Sequence, residues 1–130
     1  LFSPRPASSP LEAAENLSRA ARKGDVVLAA TGFYLPARLA AERGHLAAQV
    51  RPLPAELADH PGWFSPAFPG AEEERAVAQA AASLPPGGRL FLVVPPVYAT
   101  PRLFRGLGEE ARRVRPLTRS PDTLVVVWSR

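Results

Sequence analysis

Twelve consecutive residues, Lys23 to Tyr34 (KGDVVLAATGFY), constrain this chain more than any other stretch. Gly24 supplies a residue free to take the left-handed conformation that closes a helix. Asp25 then opens a run of six residues, Asp25 to Ala30, of which the other five are apolar. A run without polar alternation reads as a strand covered on both faces, the mark of a parallel sheet with helices packed above and below. The turn that leaves it, Thr31-Gly32-Phe33-Tyr34, therefore falls where an open α/β sheet presents ligands, at the carboxyl end of a strand.

The remaining chain repeats this alternation. Residues 1–8 are rich in Pro and Ser and read as an extended, flexible linker. Ser9-Pro10-Leu11-Glu12 then combines a hydroxyl N-cap, proline at the first helical position and glutamate three residues beyond the cap. The helix it starts is expected to reach about Arg22, with Leu11, Ala14, Leu17 and Ala21 as its buried stripe. A second helix is expected over Leu35 to Arg43, stopped by Gly44. His45 to Val50 is a weaker strand, because Ala47 and Ala48 are poor strand formers, yet it completes a βαβ unit.

A third helix is expected over Ala71 to Leu84, with Glu72, Glu73 and Glu74 in the first turn, where the helix dipole favours negative charge. Pro85-Pro86-Gly87-Gly88 ends it, and Arg89 to Val94 forms another buried strand. Thr100-Pro101 opens a fourth helix, weakened by Gly106 and Gly108, each costing about 1 kcal/mol relative to Ala and bending or breaking it. Arg115 to Thr118 and Thr123 to Ser129 close the chain as strands. The short turn Ser120-Pro121-Asp122 between them permits only antiparallel pairing. The sum is a three-layer α/β/α sandwich: a mostly parallel sheet of four to five strands with an antiparallel C-terminal strand, one domain over 9–130, and an irregular insert at 51–70. Pro52, Pro54, Pro61, Pro66 and Pro69 exclude a long regular element from that insert. Its Trp63, Phe64 and Phe68 either seal the edge of the core or form a docking surface.

Composition removes several functions. With no cysteine there is neither a disulfide framework nor thiolate chemistry. A net charge of +4 with twelve interspersed acids does not favour nucleic acid as a partner. Arginine outnumbers lysine fifteen to one, a trait of GC-rich coding or adaptation to heat. Apolar runs fall short of the roughly 18 residues that span a bilayer, so this stretch itself is expected to be soluble. Leu1-Phe2 followed by SPRPASSP has the composition of a linker beside a hydrophobic segment, or of a trimmed terminus.

Few motifs carry chemistry. Only Gly32 stands where a dinucleotide fingerprint needs three glycines, and there is no Walker sequence. Glu56 and His60 have a ligand-like spacing, but Pro61 follows and a third ligand is missing, so neither metal nor cofactor is expected. Ser65 lacks a nucleophile elbow. Neighbours among Glu72 to Glu74 diverge by about 100° on a helix and do not pair as acid and base. Arg102, Arg105, Arg112, Arg113, Arg115 and Arg119 make the C-terminal third basic, partly answered by Glu109 and Glu110. They read as a solvated face, or as a surface for lipid headgroups or a diphosphate-bearing substrate.

The capped helix leading into KGDVVLAATGFYLPARL, the GGRLFLVVPP segment and the closing TLVVVWSR together resemble the C-terminal soluble domain of multi-spanning, polyprenyl-phosphate-dependent glycosyltransferases, the protein O-mannosyltransferase-like and aminoarabinose-transferase-like group. The resemblance covers Ser9 onward. It implies an upstream membrane bundle that holds catalysis, an extracytoplasmic position at the cell membrane, and contact with that bundle and with a lipid-linked sugar. No catalytic residue carries over, and the family's adjacent tyrosines are met here by Phe33-Tyr34. On this basis the expected contacts are Thr31, Tyr34, Trp63 and Tyr98, with Arg102 and Arg105 beside them. Two rivals stand: a self-contained small α/β enzyme or ligand-binding protein, and an interaction module using the aromatic insert and the arginines.

Overall fold

In the computed structural model, residues 5–6, 16–30, 33–44, 46–53, 70–119 and 123–129 are described. They form β1 (Arg5–Pro6), a helix α1 seen over 16–20, β2 (Val26–Ala29), α2 (Tyr34–Glu42), β3 (Gln49–Pro52), α3 (Ala71–Ala82) and β4 (Arg89–Val94). A 3-10 turn (Pro96–Tyr98) and a 3-10 segment (Arg105–Arg113) lead to β5 (Arg115–Arg119) and β6 (Leu124–Ser129). One mixed sheet holds all six strands in the order β1-β5-β6-β4-β2-β3. β2 pairs in parallel with β3 on one side and with β4 on the other, placing Val27 opposite both Val50 and Phe91. β6 runs antiparallel to β4 and β5. The class is α/β.

The apolar runs behave as their composition requires. Val26, Leu28 and Ala30 join Leu90, Leu92 and Val94 under α3, while Val27, Ala29, Phe91 and Val93 pack against α1 and α2. Every residue of β2, and all of β4 after Arg89, is buried. Full burial of such a side chain contributes about 1.5–3 kcal/mol, so the β2-β4 pair is a major hydrophobic unit of the fold.

Helix boundaries follow from local chemistry. α3 starts at Gly70, whose backbone N–H donates to Glu73 Oε1 at 3.0 Å. Glu73 is itself buried, so the first-turn acid acts as a specific cap as well as a partner for the helix dipole. α2 is followed by Gly44 at φ +74, a left-handed residue at the helix end.

Three expectations need correction. The strand expected at His45 to Val50 lies later, at Gln49–Pro52. The alanines before it remain irregular, and Pro52, with no N–H to donate, is tolerated because β3 is a sheet edge. The fourth helix is not an α-helix: turns over 101–104 pass into the 3-10 segment, which Gly108 interrupts at φ 60, ψ −134. Gly106 belongs there for another reason, since a Cβ on it would lie 2.5 Å from Ala78 Cβ of α3. The C-terminal strand, antiparallel to both neighbours, lies between β5 and β4. Arg5 and Pro6, expected in a free linker, pair in parallel with Thr118 and Arg119. The cap at Ser9, Pro10 and Glu12 and nearly all of the insert, residues 54–69, lie outside the described residues.

Candidate functional site

Because β2, β3 and β4 are parallel, the chain leaves all three at one edge of the sheet. α2 follows β2 on one face and α3 follows β3 on the other, so the connections diverge between β2 and β4. Such a divergence at carboxyl strand ends is the usual ligand position in an open α/β sheet. Among the described candidates, Tyr34 opens the helix that follows β2, and Tyr98 and Arg102 lie in the segment that follows β4.

The structure does not bring its two tyrosines together. Tyr34, the first residue of α2, packs with Leu17, Ala37 and Val93 on one face; Tyr98 is 1% exposed and packs with Leu92, Val94 and Leu103 on the other. The sheet separates them. Beside Tyr34 stands Arg38, which bonds Glu42 at 3.0 Å; that bond, with the tyrosine alongside, holds its pKa above the ordinary arginine value. Arg102 extends to Glu74, Nε to Oε2 at 3.8 Å, tying the turn after β4 to the first turn of α3. Arg105 is exposed on the 3-10 segment. Thr31 and Trp63 lie outside the described residues.

Among the described residues, two large apolar side chains are exposed at this edge, alongside Arg102. Val97 is 54% exposed on the turn after β4, and Leu35 is 46% exposed at the start of α2. The Thr100 hydroxyl is buried without a hydrogen-bond partner among the described residues. In the sequence it has only the signature of a helix cap; its burial depends on the turn geometry that replaces the helix.

Among the described residues, a dense polar cluster lies at the opposite, amino edge. Asp25 is 4% exposed. Its Oδ2 accepts from Arg22 N at 2.7 Å and from Arg89 Nη2 at 2.9 Å, and its Oδ1 accepts from Arg89 N at 2.9 Å. The Arg89 guanidinium also donates to Ala20 O and sits 5.1 Å above the Phe91 ring. Gly88 allows this approach, for a Cβ there would meet Pro85 O at 2.9 Å and Gly24 O at 3.0 Å. Three of the roughly four acceptor positions of this carboxylate are thus committed to holding α1, β2 and β4 together.

A third feature is an open groove of about 430 Å³ between α3 and the 3-10 segment, lined by Ala78, Ala82, Leu107, Glu110, Arg113 and Trp128 among others. The indole N–H of Trp128 donates to Glu110 O at 3.1 Å, and Arg113 Nε meets Glu110 Oε2 at 2.9 Å. The alanines leave the space, and the single ion pair is its principal polar element.

Among the described residues no three His, Cys, Asp or Glu side chains gather as metal ligands, and no helix is long and apolar enough to cross a membrane. No protein-family model matches the chain, and no curated protein matches it.

Proposed function

We propose that this chain is a non-catalytic, extracytoplasmic accessory domain of a multi-spanning membrane glycosyltransferase, a three-layer, mostly parallel α/β/α unit that packs beside the membrane-embedded catalytic part of the same polypeptide. Its work is to shape access for the acceptor or the lipid-linked donor. The resemblance of KGDVVLAATGFYLPARL, GGRLFLVVPP and TLVVVWSR to that family supplies the parent activity.

The observation that carries the non-catalytic part is the use made of the buried carboxylates. Asp25 and Glu73 both accept from backbone N–H groups and serve as a strand clamp and a helix cap. The carboxyl edge, with Val97 and Leu35 exposed, suits apolar packing against a partner surface or an apolar portion of a ligand better than proton transfer.

The reading frame upstream of Leu1 tests the parentage. Several apolar runs of about 20 residues are expected there, and a start codon immediately before Leu1 overturns the reading. Glycosyl transfer from a polyprenyl-phosphate sugar by this 130-residue chain alone overturns the non-catalytic assignment.

A further inference from the structure

The excess positive charge of this chain is confined to one stretch. Between Arg102 and Arg119 stand six arginines and two acids, an excess of four, and four is the formal net charge of the whole chain. The remaining residues balance. This stretch folds as the turns after Pro101, the 3-10 segment and β5, and all six arginines are exposed.

Two of the six are engaged, Arg102 with Glu74 and Arg113 with Glu110. Arg105, Arg112, Arg115 and Arg119 have no ion-pair partner among the described residues. Leu107 anchors the segment in the core, and Phe104 and Ala111 pack against it, so the arginines rest on a fixed base. Guanidinium groups held on such a base suit phosphate oxygens, which they meet with a planar fork of donors.

We propose that this arginine-bearing surface docks on a bilayer that carries anionic headgroups. The 3-10 segment that carries Arg105 and Arg112 packs on the α3 side of the sheet, and Arg119, opposite Leu124, joins that side, whereas Arg115, opposite Val127 across a bulge, faces the other. Three unpaired guanidinium groups on one side complement a surface whose anions can move laterally to meet them. Nucleic acid fits less well: Trp128 is buried and Phe104 half-buried, so the stretch offers no open aromatic platform for bases. The segment is also broken at Gly108 and presents no continuous helix to a duplex groove. An acidic peptide would meet Glu110 in the adjoining groove. The inference uses the placement of charge alone and stands whether or not the accessory-domain reading holds.

The test is co-sedimentation of the whole chain with phosphatidylcholine vesicles, with and without phosphatidylglycerol. Binding is expected only with the anionic lipid, falling steeply as salt is added. Replacing Arg105→Gln together with Arg112→Gln is expected to weaken it about tenfold or more. The charge-matched pair Lys23→Gln and Arg43→Gln, exposed elsewhere, is expected to change it less than about twofold. Equal losses from the two pairs, or equal binding to neutral vesicles, would overturn the proposal. Release of the bound chain by an equimolar short DNA duplex would also overturn it and assign the surface to nucleic acid. Salt dependence of the unmodified chain decides the matter should either variant fail to fold: salt-independent binding rules out the arginines.

Discussion

The two edges of the sheet are built from different materials. At the amino edge a buried carboxylate, a guanidinium and three backbone N–H or C=O groups close on one another around Asp25 and Arg89. At the carboxyl edge, where open sheets collect ligands, Tyr34 and Tyr98 turn into opposite cores and apolar Val97 and Leu35 remain outside. The difference teaches that a polar motif at strand ends need not mark chemistry. In this chain the Gly-Asp and Gly-Gly-Arg motifs hold the starts of β2 and β4.

Four substitutions sharpen or break this contrast, each read by urea unfolding. Tyr98→Ala should cost the most, about 4 kcal/mol, as a large cavity in the core; a loss under about 0.5 kcal/mol would make Tyr98 a surface residue open to ligands. Asp25→Ala should cost about 3 kcal/mol, because Arg89 and two backbone N–H groups lose their acceptor together. Gly106→Ala should cost about 2 kcal/mol by pushing the 3-10 segment off Ala78. Val97→Asn should stay within about 0.5 kcal/mol, marking the carboxyl edge as the region open to change. An Asp25→Ala loss smaller than that of Val97→Asn would reverse the contrast.

Much of this fold is legible in the residues. Arg89 to Val94 reads as a buried strand because nothing polar interrupts it after Arg89, and the structure assigns those same residues to β4. Gly24 and Gly44 announce positive φ, at +93 and +74. Three features were harder to read, for physical reasons. β3 is an edge strand set by its pairing with β2, so its own composition, with Ala47-Ala48 before it and Pro52 at its end, misplaces it by several residues. The fourth helix carries an apolar period, yet close contact at Gly106 and a left-handed Gly108 select a 3-10 path that periodicity does not report. The pairing of Arg5 and Pro6 with β5 rests on backbone bonds to a distant strand and leaves no mark in side-chain pattern.

The candidate site was legible only as an edge. Connection order put Thr31, Tyr34 and Tyr98 after the expected strand ends, but the exposure of Tyr34 and Tyr98 depends on which face each side chain joins. That is a property of the packed sheet. The Asp25–Arg89 clamp joins residues 64 apart in sequence and was invisible for the same reason.

A double-mutant cycle on Asp25→Ala and Arg89→Ala, followed by urea unfolding, tests most directly whether the polar groups of the amino edge serve the fold. A coupling of about 1 kcal/mol or more is predicted, with each single variant clearly destabilised. Additive, near-neutral effects would contradict the account and leave Asp25 and Arg89 open to a functional role.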